Sequence, residues 1–148
     1  MINNNSNENK SLDTLNPKIE RLIDANINRL KEGLRVVEDI CRYVHNDRNI
    51  TSKIKELRHK LQTMYSIDRL KYRDVIGDIQ KNSTKSELAR KNIESVVIAN
   101  FSRTQESARV LEEMFKLKNT EYSKRYKQIR YEIYDLEKTY FMNYPSTS

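Results

Sequence analysis

The sequence predicts an all-α protein, a bundle of four main helices built from two pseudo-symmetric helical hairpins. Three observations lead to this prediction. The 148 residues include only two glycines and two prolines, so turn-forming residues are scarce. Apolar residues recur at steps of three and four along four segments, as they do on the buried face of a helix. Finally, part of the first half of the chain repeats in the second half, and two hairpins can bury their apolar faces against each other.

The first helix is predicted from about Pro17 to Val44, because Asn16 is a good N-cap and proline suits the first helical position. The stretch "HNDRNIT" ends it. A second helix is predicted from about Ser52 to Leu70. The residues expected on the inward face of the first helix are Ile23, Ile27, Leu30, Leu34, Val37, Cys41 and Val44, and those of the second are Ile54, Leu57, Leu61 and Met64.

The segment 71–83 has no helical period and is expected to join the two hairpins. Thr84 and Glu87 have the spacing of a capping box, which predicts a third helix from there to about Leu117. A fourth helix is predicted from near Glu121 to about Phe141. The residues expected on the inward face of the third helix are Val97, Phe101, Ala108, Leu111 and Phe115. We predict that residues 1–15 form a disordered tail, 16–142 a single helical domain and 143–148 a C-terminal tail.

Composition narrows the classes of partner and compartment. The formal charge of +7 admits nucleic acid, phosphorylated small molecules or acidic proteins as partners. There is no apolar run long enough for a membrane span, and the polar N-terminus does not resemble a secretory signal. The single cysteine, Cys41, excludes an intramolecular disulfide and fits a reducing compartment, so we expect a cytoplasmic protein. Cys41 is expected to be a buried core residue. The oligomeric state is left open, and a homodimer is one option.

The internal repeat centres on alternating arginines and glutamates in the first and third helices. We call the two sets the charged ladders. A shift of 74 residues places seven identical residues opposite one another among the fourteen positions from 25 to 38. The first set is Ala25, Asn26, Arg29, Glu32, Arg35, Val36 and Glu38, and the second is Ala99, Asn100, Arg103, Glu106, Arg109, Val110 and Glu112. A shift of 72 aligns the second and fourth helices less well, with Arg58 opposite Arg130.

The ladders have three interpretations. They can be ion pairs on a solvated face, worth a few tenths of a kcal/mol each. They can line a polar cavity in which arginine forks bind phosphate or carboxylate. They can also form a buried network that fixes the register of the bundle. We predict that four of these residues are substantially buried or line a cleft, and are bonded to one another across the first and third helices: Arg29, Glu32, Arg103 and Glu106.

The segment 71–83, which we call the connector, contains Arg73, Asp74, Gly77 and Asp78 within six residues. Two aspartates four apart beside an arginine can hold Mg²⁺ while the arginine faces a phosphate. An ordinary polar turn with an aspartate cap is the alternative. A Walker A loop is excluded, because the dipeptide Gly-Lys does not occur.

Five blocks in order resemble one known family: "RLIDANINRLKEGLRVVEDICRYV", "KELRHKL", "RDVIGDI", "IANFSRTQESARVLEEMFKL" and "IRYEIYDLEK". They are similar to the helical domain often found N-terminal to thiamine-phosphate synthase, a domain resembling an alternative hydroxymethylpyrimidine-phosphate kinase. The resemblance covers roughly residues 19–140. The connector departs from the family pattern Arg-Asp-Thr-Pro-Gly-Asp-Val-Gly at Val75, Ile76 and Gln80.

The resemblance implies a small kinase of thiamine biosynthesis that phosphorylates hydroxymethylpyrimidine phosphate to the diphosphate with ATP and Mg²⁺. The partners implied are the pyrimidine phosphate, a nucleotide and thiamine-phosphate synthase. We expect Asp74 and Asp78 to hold Mg²⁺, with Arg73 near the transferred phosphoryl group. The residues expected to bind substrate or phosphate are Asn26, Arg29, Glu32, Arg35, Asn100, Arg103, Glu106 and Arg109.

The sequence also permits two other functions. The chain can be a non-catalytic partner that binds a pyrimidine ligand or regulates thiamine-phosphate synthase. It can also be a nucleic-acid-binding bundle, for which the tyrosines and bases of the fourth helix provide stacking groups. The glutamates among the arginines argue against nucleic acid, because carboxylates repel a phosphate backbone.

Overall fold

The computed structural model describes residues 5–84 and 88–146, and side chains from residue 16 onward within those ranges. The prediction of an all-α bundle is confirmed. In chain order the elements are α1 (Asn5–Asp39), a π-helical segment (Ile40–Val44), α2 (Arg48–Gln62), a 3₁₀ helix (Ile67–Tyr72), α3 (Ile93–Phe115) and α4 (Thr120–Asn143). The described part of the chain contains no β-strand.

Helix α1 begins at Asn5, before the predicted start near Pro17, and Pro17 lies inside it. Residues 1–4 of the predicted tail, and residues 147–148 of the C-terminal one, lie outside the described residues. The division into tails and a single domain stays a prediction. At its other end α1 runs directly into the π-helical segment. The wider π turn changes the residue spacing, so Val44 is 56% exposed and its predicted burial is wrong.

Helix α2 begins at Arg48, four residues before its predicted start, because Asp47 caps it: an Asp47 carboxylate oxygen accepts a hydrogen bond from Ile50 N at 3.0 Å. The turn before this cap contains Asn46 at a φ of 51°, a conformation that asparagine tolerates well. Helix α2 ends at Gln62 rather than near Leu70, and the chain continues into the separate 3₁₀ helix.

Helix α3 begins at Ile93, later than predicted. Its capping box is formed by Asn92 and Ser95, whose side chains accept each other's backbone N–H groups at 2.8 and 3.1 Å. The capping box predicted from Thr84 includes Glu87, which lies outside the described residues. The start and end of α4 are within two residues of the predicted ones.

Helices α1 and α3 run antiparallel and form the centre of the bundle. Glu20 bonds to Lys118, just beyond the end of α3, while Gly33 lies against Asn100 and Thr104, so moving forward along α1 means moving backward along α3. A methyl group on Gly33 would lie 2.7 Å from Thr104 Cγ2 and 3.3 Å from the Asn100 carbonyl oxygen. This glycine therefore permits the close approach of the two helices.

All the predicted inward residues other than Val44 are buried. They form one core with residues of α4, including Tyr126, Ile129, Ile133, Leu136 and Tyr140. Cys41 belongs to this core, and burial raises the pKa of its thiol to about 12, as expected of an inert core cysteine.

None of the helices in the described part of the chain combines the length and apolar character that a membrane span requires. The pseudo-two-fold axis between the two hairpins stays a prediction.

Candidate functional site

The C-terminal part of each charged ladder forms a buried ion pair within its own hairpin. Glu38 of α1 is 1% exposed, and its carboxylate lies 2.9 Å from Arg58 Nη2 of α2. Glu112 of α3 is 4% exposed, and one of its carboxylate oxygens accepts from Arg130 Nε of α4 at 3.0 Å. Because the matched glutamates have matched arginine partners, the sequence repeat corresponds to a repeated structural interaction.

Arg35 and Arg109 complete these two clusters from the preceding helical turn. Arg35 lies 3.4 Å from Glu38 and 3.5 Å from Asp39. Arg109 lies 3.6 Å from Glu112 and 3.4 Å from Glu113. Lys116 and Arg109 beside Glu113 lower the pKa of that carboxyl, with the Lys116 hydrogen bond as the main cause. Both arginines, predicted as phosphate clamps, are therefore already paired with carboxylates.

The N-terminal part of each ladder differs. Arg29, Glu32, Arg103 and Glu106 are exposed, and no hydrogen bond or ion pair joins any of them to another described residue. The predicted burial, and the predicted bonds across α1 and α3, are therefore wrong, although Glu32 does line an open pocket together with Arg58 and Gln62. The reason is the position of these four residues on their helices. At about 100° per residue, the two arginines lie about 120° and the two glutamates about 180° from the centre of the buried face of α1 or α3, whereas Glu38 and Glu112 lie only about 60° from it.

Asn26 and Asn100 have the same contact in both halves of the molecule. The Asn26 side-chain amide donates to Leu22 O at 2.9 Å, and that of Asn100 donates to Val96 O at 2.8 Å. Both residues are buried. Their amide N–H groups thus satisfy backbone carbonyls of their own helices.

The connector is fixed to α1 at its beginning. Arg73 donates two hydrogen bonds to the Asp24 carboxylate, from Nε at 2.7 Å and from Nη2 at 2.8 Å. This pairing is the main cause of the raised pKa of Arg73, to which the nearby charge of Glu32 also contributes. Arg21 Nη2 donates to the Asp74 carbonyl at 2.9 Å. The connector therefore lies beside the first ladder, with the Arg73 fork occupied by a carboxylate.

Asp74 and Asp78 act as turn-forming residues. Asp74 Oδ1 accepts from Gly77 N at 2.7 Å, and Asp78 Oδ1 accepts from Gln80 N at 2.9 Å. Within the described ranges, no three side chains of His, Cys, Asp or Glu type lie close enough together to hold a metal ion. These two carboxylates alone do not make a metal centre built from protein ligands. Their predicted roles as metal ligands stay predictions.

Sequence reasoning missed two acidic residues of α1 that bind the 3₁₀ helix and the beginning of the connector. Glu20 accepts from Arg69 Nε at 2.6 Å, one helical turn before the Asp24–Arg73 pair. Glu20 and Asp24 are four residues apart, as are Arg69 and Arg73, so each carboxylate meets one arginine. This matched spacing is the signal that could have revealed the contact, but the spacing alone does not show which helix the arginines reach.

Comparison with known proteins identifies the relatives of this chain. The family model described as the ThiD2 family matches residues 21–139. A protein named thiamine-phosphate synthase from Nostoc punctiforme is 39% identical over 120 residues, which cover 80% of this chain and 34% of that protein. The protein of that name from Synechocystis is 38% identical over 120 residues, covering 80% of this chain and 35% of the relative. A protein of the same name from Prochlorococcus marinus is 38% identical over 138 residues, which cover 93% of this chain and 38% of that relative. No solved structure matches.

The chain thus spans about a third of the length of the curated relatives it matches. Those relatives carry the name of thiamine-phosphate synthase, which is a different enzyme from hydroxymethylpyrimidine-phosphate kinase. The prediction that this chain is such a kinase is therefore wrong. The broader part of the predicted resemblance, the relation to proteins named thiamine-phosphate synthase, is confirmed.

Proposed function

This chain belongs to the ThiD2 family, and from that premise we propose that it takes part in thiamine biosynthesis as a helical domain that binds a phosphorylated pyrimidine and acts with a thiamine-phosphate synthase. The observation that carries the proposal is the identity of 36–39% with proteins of that name over 120 residues or more. The shared region is the helical domain, about a third of each relative, so we assign this chain an accessory role.

Arg29 and Arg103 are the ligand-binding groups in this proposal. They occupy matched positions of the repeat, both are exposed, and neither has a carboxylate partner among the described residues. Unpaired guanidinium groups are suited to bidentate contacts with a phosphate. The exposed carboxylates of Glu32 and Glu106, three residues further on, can accept hydrogen bonds from the amino group of an aminopyrimidine.

Arg35 and Arg109 have a supporting role. Their partners Glu38 and Glu112 are buried, so releasing either arginine to a ligand would weaken a buried charge cluster. ATP and Mg²⁺ stay predictions, and nucleotide titrations of the same protein can test them.

Calorimetric titration with hydroxymethylpyrimidine monophosphate and diphosphate tests the ligand site. Replacing Arg29 or Arg103 with Gln should weaken binding about tenfold, since a hydrogen bond to a charged group contributes roughly 1.5–3 kcal/mol. Arg48→Gln is the matched control, because Arg48 is also exposed and without a partner in the described structure. Equal affinity in all three variants, or no binding to the unaltered chain, would refute the site.

The partner role is tested separately, by adding the purified chain to a thiamine-phosphate synthase. We expect the synthase rate or its apparent KM to change in proportion to the amount of chain added. The heat-denatured chain is the control. A synthase that neither changes its kinetics nor co-elutes with the chain on gel filtration would refute the partnership and leave the ligand site standing.

A further inference from the structure

A cavity of about 590 Å³ lies where α1, the 3₁₀ helix and the segment after α3 meet. Its volume is in the range of small-molecule sites, roughly 300–1,000 Å³. It lies away from the ladders, since Glu20 in its wall and Arg29 are nine residues apart, or about 13 Å along α1. We call it the junction cavity. Its lining includes Ile19, Glu20, Arg69, Lys71, Tyr72 and Lys118.

Positive charge exceeds negative charge around the junction cavity. Three cations line it: Arg69, Lys71 and Lys118. Glu20 is shared between two of them, because it accepts from both Arg69 and Lys118. Lys71 has no carboxylate partner in the described structure; its ammonium group lies 5.1 Å from the centre of the Tyr72 ring. One further carboxylate in the lining, that of Asp68, leaves a net charge of +1.

One of the three cations, Arg69, is largely removed from water, whereas Lys71 and Lys118 are exposed. Arg69 is only 8% exposed, and its buried Nη1 makes no hydrogen bond with any described residue. Nη1 itself has almost no accessible surface, so an anion in the cavity would be attracted by the charge of the guanidinium group rather than bind that nitrogen. Partial burial lowers the pKa of Lys118, the third cation.

The rest of the wall is apolar or aromatic. Ile19 and Leu117 supply aliphatic surface, and Tyr72 supplies an aromatic ring. A cavity with cations beside apolar surface suits a small phosphorylated molecule that has an organic body.

We propose that the junction cavity binds a small organic phosphate through Arg69, Lys71 and Lys118, at a site separate from Arg29 and Arg103. The anion would contact the 3₁₀ helix, which leads directly into the connector. Binding would therefore also hold the connector more firmly against α1. The inference stands independently of the proposed function.

Inorganic phosphate is the probe, titrated into the full chain at constant ionic strength and followed by amide resonances in NMR spectra. We expect shifts at Ser66–Tyr72 and at Leu117–Lys118. Lys71→Gln should weaken phosphate binding about fivefold, the effect of losing one charged contact of about 1 kcal/mol. Lys127→Gln is the matched control, because Lys127 lies in a similar way 5.9 Å from the Tyr131 ring but lines no part of this cavity. The control should bind as the unaltered chain does.

Two further variants separate this site from the ladder site. Arg69→Lys keeps the charge beside Glu20 but loses the planar fork, and should also weaken phosphate binding while the far-ultraviolet circular dichroism stays unchanged. The double variant Arg29→Gln/Arg103→Gln should retain phosphate binding. Equal phosphate affinity in Lys71→Gln and Lys127→Gln would overturn the inference, as would loss of phosphate binding in the double variant alone. The latter result would leave the proposed function intact.

Discussion

Removing Glu112 should destabilise the fold far more than removing Glu106, although both glutamates belong to the same ladder on the same helix. Glu112 is 4% exposed and lies 2.9 Å from Arg130 Nη2, and Arg130 is itself 8% exposed. Glu112→Ala would leave a buried guanidinium without its carboxylate, a change that typically costs 3–5 kcal/mol. We expect about 3 kcal/mol, at the lower end, because Arg130 Nη1 keeps the Tyr134 hydroxyl at 3.4 Å.

Urea unfolding followed by circular dichroism measures the effect. With a slope of roughly 2 kcal/mol/M, a loss of about 3 kcal/mol moves the midpoint down by about 1.5 M. Glu106→Ala, at an exposed position without a partner, should stay within about 0.5 kcal/mol of the unaltered chain. In a double-mutant cycle, Glu112→Ala combined with Arg130→Met should cost much less than the sum of the single changes, because the second change removes the unpaired charge.

The reasoning would be refuted if Glu112→Ala and Glu106→Ala had equal free energies of unfolding. It would fail equally if the double variant showed full additivity, since two residues that form a buried pair must show a coupling energy.

Three further predictions concern the helix contact, the α2 cap and the connector. Gly33→Ala should destabilise the protein by about 1 kcal/mol, as overpacking against Thr104 outweighs the gain in helix propensity, and Thr104→Ser should relieve it in urea titrations. Asp47→Ala should cost about 1 kcal/mol at pH 7. The hydrogen bond from the Ile50 N–H lowers the pKa of Asp47 in the folded state. The stability that Asp47 contributes is therefore present above its unfolded pKa near 3.8 and is lost as the pH falls through its folded pKa. In urea titrations below pH 4, the cost of Asp47→Ala should therefore shrink. Asp24→Asn should speed hydrogen exchange in the connector, because asparagine has one acceptor oxygen and no charge, so the two bonds from Arg73 at 2.7 and 2.8 Å cannot both form. Helical circular dichroism should stay unchanged.

The apolar core could be predicted from the sequence because a straight α-helix has a fixed residue spacing. That logic placed Ile23 to Cys41 correctly and failed at Val44, where the π-helical segment alters the spacing. Helix ends were less predictable. The second helix was predicted to continue to Leu70, yet the chain leaves α-helical geometry after Gln62, and the apolar pattern alone does not show this.

The charged ladders show what a helical wheel predicts and what it does not. At about 100° per residue, Glu38 lies about 60° from the centre of the buried face of α1, Arg29 about 120° and Glu32 about 180° from it. The wheel therefore accounts for the burial of Glu38 and the exposure of Arg29 and Glu32, and the prediction that the latter two are buried misjudged their angles. The wheel does not show that Arg58 of α2 pairs with Glu38, because the helix that supplies the partner is decided by the tertiary structure.

The division of each ladder makes stability and ligand binding separable. Glu112 ties α3 to α4, and Glu38 ties α1 to α2, so each buried pair fixes the register of one hairpin. Arg103 lies nine residues before Glu112, about 13 Å along α3, where no carboxylate occupies its guanidinium. If this division is right, Arg103→Gln should weaken pyrimidine phosphate binding and leave the urea midpoint almost unchanged. Its free energy of unfolding should stay within about 0.5 kcal/mol of the unaltered chain, as is typical of a surface site. An Arg103→Gln variant that unfolds at a distinctly lower urea concentration would show instead that the ladder is one continuous structural network. The proposal that the exposed arginines bind a ligand would then be refuted.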